Sequence, residues 1–144
     1  MIIGIGTDLV DISRIEKSLS DHGDKFEARL FSPRERAYAN SQPNPAASFA
    51  KRFAAKEAFT KAIGSGLKGL SSDGKSDISF QDIEVINDEL GKPSFAFSKQ
   101  LTAHLYNLKP ESAGGQNGTI KVHLSLSDEL PFALAYVMIE IIES

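Results

Sequence analysis

The chain contains no cysteine, which excludes a disulfide framework, a thiolate metal site and a cysteine nucleophile. A reducing cytoplasm is the compartment expected of it. Its histidines, His22, His104 and His123, are scattered, so no paired-histidine metal motif is present, and no Gly-x-Ser-x-Gly turn offers a nucleophilic serine. No apolar run approaches the roughly 20 residues that span a bilayer. The first residues carry no basic region and reach an acid at Asp8, so neither a membrane span nor a signal peptide is expected. A formal net charge of −3 lacks the basic excess of a nucleic-acid binder.

What is present describes an ordinary soluble protein. The 144 residues, 41% hydrophobic and 24% charged, suit one compact domain over 1–144. Charge is uneven: the chain through Lys61 carries ten basic and eight acidic residues, and the remainder six and eleven. An acidic partner is therefore expected at the N-terminal half.

The pattern predicts a short strand over 2–7 stopping at Asp8, then a helix capped by Asp11 with Ile12, Ile15 and Leu19 on one face. Ser32-Pro33-Arg34-Glu35 has the form of a capping box with proline at the first helical position. Asn44-Pro45 opens the longest helix, which should run to about Gly64, with Gly64-Ser65-Gly66 as its stop. A hairpin is expected over 84–97, turning at Gly91-Lys92-Pro93, and a short helix after Ser98. Strict alternation over 119–127 and apolar character on both faces of 132–142 predict two more strands, the second central. The Gly/Ser/Asp-rich stretches 71–77 and 111–118 read as loops. The fold class is α+β, an antiparallel sheet packed against a long central helix.

Three groups of residues carry candidate chemistry. In Gly4-x-Gly6-x-Asp8, position 9 is Leu9, so the dinucleotide-binding fingerprint fails. An aspartate remains at a strand end, after glycines that let another group approach the backbone; a plain helix-cap or turn aspartate is the alternative. In the long helix, Phe49, Phe53, Phe59 and Ile63 gather on one side and Lys56 projects into the same arc, as a snorkelling cation would. Glu57 stands beside Ala50, Ala54 and Ala58, a small-residue surface against which something can pack. Glu57 and Lys61 lie one turn apart, either a surface ion pair or part of a site. In the strand 120–127, Lys121, His123, Ser125 and Ser127 share one face, either a solvated sheet face or a surface for a phosphate or an adenine. Gly64-Ser65-Gly66-Leu67-Lys68-Gly69 lacks P-loop spacing.

These pieces occur in the order of one family. Gly4-Ile5-Gly6-Thr7-Asp8-Leu9-Val10-Asp11-Ile12-Ser13-Arg14-Ile15 resembles the opening motif of the holo-acyl-carrier-protein synthases, the small homotrimeric type of 4'-phosphopantetheinyl transferase. Arg52-Phe53-Ala54-Ala55-Lys56-Glu57-Ala58-Phe59-Thr60-Lys61-Ala62 is similar to their central helix motif. Ile83-Glu84-Val85, Gly91-Lys92-Pro93 and Val122-His123-Leu124-Ser125-Leu126-Ser127 resemble the remaining landmarks.

The resemblance implies transfer of 4'-phosphopantetheine from coenzyme A to a serine of apo-acyl carrier protein, in fatty acid biosynthesis. It implies Asp8 and Glu57 as ligands of Mg²⁺, a pairing that suits a hard cation completed by water and phosphate oxygens. Lys61 would stabilise the same phosphate, and Arg52, Lys56 and His123 would contact coenzyme A. Glu35 resembles a family acid that acts on the serine through water, although its place in the capping box also gives it a structural task. The acidic carrier would dock on Arg14, Lys17, Lys25 and Arg29. Active sites would lie between the subunits of a homotrimer. Asp128 departs from the histidine often found there, so no substrate contact is carried onto it. A coenzyme-A-binding module without catalysis would be expected to lose a carboxylate, yet both are present.

Overall fold

The computed structural model describes residues 1–67, 78–108 and 118–142, and the expected loops 71–77 and 111–118 fall outside these except for Gly118. Strand β1 (Ile2–Asp11) runs straight into helix α1 (Ile12–Leu30). Helices α2 (Pro33–Asn40) and α3 (Pro45–Ile63), a 3-10 turn (Phe80–Asp82), β2 (Ile83–Asn87), β3 (Pro93–Phe97), α4 (Lys99–Asn107), β4 (Thr119–Glu129) and β5 (Phe132–Ile142) follow. The longer strands form an antiparallel sheet in the order β1-β5-β4, and β2-β3 pair as a separate hairpin.

Local signals set most of these boundaries. Asp11 caps α1 by accepting from the Ser13 backbone at 2.9 Å. The capping box at Ser32 closes with both of its hydrogen bonds, and Pro33 occupies the first helical turn. Asn44 caps α3, which ends at Gly64 in the left-handed conformation, φ 74°. β1 extends past its expected end at Asp8, because the ladder with β5 continues through Asp8↔Ala135 to Asp11↔Phe132. β4 likewise runs two residues beyond the expected 127, to Glu129. Helix α1 contains a break at Gly23, φ 45° and ψ −122°, a conformation open to glycine.

Alternation along β5 turns Ala133, Ala135, Val137, Ile139 and Ile141 toward α3, where they are buried. Phe132, Leu134 and Tyr136 point to the opposite face and are 40–45% exposed. Register places Ile5 beside Met138 and Leu9 beside Leu134 on that outer face. His123, Ser125 and Ser127 line its β4 side. The strand is central, as its composition predicts, but in a single chain it is covered on one side only. No helix among the described residues is long and apolar enough to cross a membrane.

The inner face meets α3 at very short range. A Cβ added to Gly6 would lie 1.9 Å from the carbonyl oxygen of Ala58, and one added to Gly4 would lie 2.1 Å from that of Ala62. The approach that the glycines permit is therefore that of α3, which presents Ala55, Ala58 and Ala62, all buried. The clashing atoms are backbone, so relief requires moving the helix. Gly6→Ala is expected to cost roughly 3 kcal/mol, the upper end for overpacking a core. Equilibrium urea unfolding, compared with the exposed control Ser13→Ala, measures it.

Candidate active site

The contact between β1 and α3 brings Asp8 and Glu57 together. Asp8 is on the helix-facing side of β1, two residues beyond Gly6. Glu57 is the neighbour of Ala58, whose carbonyl lies over Gly6. Lys61, one turn beyond Glu57, donates to Asp8 Oδ1 at 2.8 Å and to the Thr7 carbonyl at 3.0 Å. Glu57 is held above the usual carboxylate range, first by partial burial and next by the Asp8 charge, while Lys61 opposes the shift. Two carboxylates thus share a corner with one ammonium. They border a cavity of about 530 Å³ whose other walls include Arg14, Lys17, Phe26 and Phe53.

The donor set fits a hard divalent cation: two carboxylates whose mutual repulsion a cation would relieve, in a cleft with room for further oxygen ligands. Among the described residues no group of three or more carboxylates, imidazoles or thiols could hold a metal by itself. The remaining ligands would then be water and substrate oxygens.

A second cavity, about 350 Å³, lies around Arg52 and is walled by Tyr38, Asn44, Lys51, Asn87 and Asp128. The Arg52 guanidinium donates to Ser48 Oγ at 3.1 Å and Asn87 Oδ1 at 2.6 Å, and lies 4.2 Å from the Tyr38 ring centroid. Its Nε is buried with no hydrogen-bond partner. Asp128 pairs with Lys51 at 2.8 Å. Five residues separate Arg52 from Glu57, about 140° around the helix, so the two cavities open on different sides of α3. Tyr38 and Asn87 escaped the sequence reading, because lone residues in separate elements leave no pattern.

Glu35 and Lys56 face the same interior as Arg52, and neither side chain is exposed at all. Lys56 Nζ donates to Glu35 Oε1 at 2.6 Å, to the Leu30 carbonyl at 2.7 Å and to the Phe80 carbonyl at 2.8 Å. Glu35 also accepts from the backbone N–H groups of Ser32 and Val85, each at 3.0 Å. Every donor of the ammonium is used, and both carboxylate oxygens are occupied. Burial pushes the Lys56 ammonium below its ordinary value, and Glu35 opposes that shift. His123 lies elsewhere again, 2.7 Å from Glu140 Oε1 on the outer face of the sheet.

Comparison with known proteins adds the lineage. Residues 4–124 match the family model of the 4'-phosphopantetheinyl transferase superfamily. The chain belongs to that superfamily. It is 44% identical over 140 residues to a holo-[acyl-carrier-protein] synthase of Caulobacter sp. (strain K31), covering 97% of this chain and 96% of the relative. The crystal structure of the Neisseria meningitidis holo-[acyl-carrier-protein] synthase is 38% identical, with a TM-score of 0.79 and coverage of 97% and 99%. That of a Bacillus anthracis holo-(acyl-carrier-protein) synthase in complex with CoA (3',5'-ADP) is 36% identical, with a TM-score of 0.70 and coverage of 100% and 99%.

Within this phosphopantetheinyl transferase fold, the expected site residues separate into groups. Asp8, Glu57 and Lys61 come together as anticipated. Arg14 and Lys17 reach the same cavity, while Lys25 and Arg29 lie beyond the break at Gly23. Arg52 borders its own cavity. For Lys56 the snorkelling alternative is corrected: Lys56 does not reach solvent, and it is sealed in the core with Glu35. The signal was present in the lysine that interrupts the aromatic arc of α3. Removing one partner strands a buried charge, so Lys56→Met is expected to cost about 3–5 kcal/mol. Lys56→Met with Glu35→Gln should recover part of that loss in urea unfolding, since no uncompensated charge remains.

Proposed function

We infer that the chain transfers the 4'-phosphopantetheine group from coenzyme A to a serine hydroxyl of apo-acyl carrier protein. The products are the holo-carrier and adenosine 3',5'-bisphosphate. The observation that carries this reading is the convergence of Asp8, which Lys61 pairs with, and Glu57 on a cavity that Arg14 and Lys17 also line. The serine oxygen bonds to the phosphorus nearer the pantetheine, the bond from that phosphorus to the anhydride oxygen breaks, and the hydroxyl proton leaves to solvent.

Asp8 and Glu57 would hold Mg²⁺. When bound, Mg²⁺ supplies charge neutralisation at the pyrophosphate and so favours departure of the nucleotide. Lys61 adds a cation at the same place. Arg52 supplies positive charge beside the second cavity, where a phosphate of the donor would sit. Glu35, buried against Lys56, anchors the core.

Docking of the acidic carrier falls to the basic side of α1. Asp21 of that helix is paired with Lys17, and Asp24 and Glu27 are paired with Arg36. No carboxylate of the described residues pairs with Arg14, Lys25 or Arg29, so these cations remain for a partner. The carrier is that of fatty acid synthesis, and the enzyme works in the cytoplasm.

Two features support the homotrimer of the family resemblance. The outer sheet face exposes Ile5, Leu9, Phe132, Leu134 and Tyr136 together, a patch that a soluble chain covers by association. His123 lies on that face, whereas Asp8 lies on the other, so one chain cannot direct both at one coenzyme A. Sites completed across the subunit boundary reconcile the two, as the family resemblance implies.

The test is the mass of apo-carrier protein after incubation with coenzyme A and Mg²⁺. The expected result is the phosphopantetheine increment with wild type. Asp8→Asn and Glu57→Gln should lower the rate by roughly two orders of magnitude, the scale of losing a preorganised electrostatic group. Mixing Asp8→Asn with His123→Ala subunits should restore part of the activity that each lacks alone. No mass gain with several apo-carriers, or full activity in Glu57→Gln, contradicts the reading.

A further inference from the structure

Lys61 makes two contacts with β1, one to a charged carboxylate oxygen and one to a backbone carbonyl. Asp8 is only 14% exposed, while Lys61 is 53% exposed at the end of a long flexible stem. The carboxylate is therefore fixed and the ammonium is the movable partner. Glu57 lies one helical turn before Lys61 on the same face of α3. The ammonium thus occupies Asp8 Oδ1, an oxygen that the proposed metal site needs for a divalent cation.

We propose that Lys61 is a resident counter-cation of the Asp8–Glu57 pair, and that it must release Asp8 before a divalent cation can be held there. This rests on the reading of Asp8 and Glu57 as the metal ligands, and adds an order to it. Without metal, the ammonium keeps two neighbouring carboxylates from repelling one another across the β1–α3 contact. On release, the same stem is within reach of whatever phosphate accompanies the cation, since Lys61 and Glu57 share a helix face one turn apart. Loss of Asp8 as a partner and gain of a phosphate oxygen are one movement of one side chain. The proposal therefore gives Lys61 opposite effects on two ligands. It weakens binding of the bare metal, with which it competes for Asp8, and strengthens binding of coenzyme A, with which it pairs afterwards.

The opposite signs make the test decisive. Mn²⁺, used alone as the probe, is titrated against wild type, Lys61→Met and Lys61→Arg, with free Mn²⁺ read by electron paramagnetic resonance. Coenzyme A affinity is then measured at saturating Mn²⁺ by calorimetry. Lys61→Met should bind Mn²⁺ about two- to fivefold more tightly than wild type, the scale of relieving a partly exposed ion pair. It should bind coenzyme A more weakly. Lys61→Arg, which keeps the charge, should stay near wild type for Mn²⁺. Lys61→Gln replaces Lys61→Met should the latter fail to fold.

Unchanged or weaker Mn²⁺ binding in both neutral variants overturns the competition. Tighter binding of both Mn²⁺ and coenzyme A overturns the second half, the transfer of the ammonium to phosphate. Asp8→Asn and Glu57→Gln run alongside. If they bind Mn²⁺ as wild type does, the metal assignment itself is wrong, which is distinct from a Lys61 effect missing at an intact site.

Discussion

Everything at the site depends on how closely β1 lies against α3. Two glycines, Gly4 and Gly6, allow carbonyl oxygens of the helix to occupy space where any other residue would carry a Cβ. Small residues on the helix, Ala58 and Ala62, complete the contact. Close packing of this kind is rigid, because backbone meets backbone and no rotamer can absorb a shift. It fixes Asp8 at one end of the glycine pair against Glu57 at the corresponding turn of the helix. Neither carboxylate would define a site alone, and the shared interface makes them one.

The opposite side of α3 is held by different means. There the Glu35–Lys56 pair ties the end of α1, the start of α2, α3, the 3-10 turn and β2 with five hydrogen bonds around two charges. A buried ion pair is a costly way to gain stability, and its better-attested value is to specify one arrangement. Here that arrangement is the rotation of α3 about its axis. Lys56 pinned into the core leaves Glu57 and Lys61 facing β1, and Arg52 facing the hairpin. Two neighbouring residues of one motif thereby face different ways, one into the core and one toward Asp8 and its cavity.

How much of this was legible in the sequence depends on range. Caps at Asp11, Ser32, Asn44 and Ser98 could be read because a side chain meets a backbone group two or three residues away. The alternation of β4 and the doubly apolar β5 could be read for the same reason. The extension of β1 to Asp11 could not, since it is set by pairing with a strand more than a hundred residues away. The convergence of Asp8 with Glu57 came through family resemblance, with the glycines and alanines as independent hints that something packed closely there. Glu35 illustrates the limit. Its capping role was local and was found, but its burial against Lys56 and the Val85 amide is tertiary.

The outer face of the sheet is apolar and carries His123, whereas Asp8 lies on the face toward α3. Arg14 and Lys17 of α1 border the cavity beside Asp8 and Glu57, and a second cavity surrounds Arg52 on another side of α3.

The central claim is that Asp8 and Glu57 act as one cation site positioned by the glycine contact. It is tested most directly by a crystal structure with Mn²⁺ and coenzyme A, with the metal located by its anomalous signal. The account predicts one strong peak per chain, with carboxylate oxygens of both Asp8 and Glu57 as direct ligands. A peak elsewhere, or one bound to only one of the two carboxylates, would contradict it.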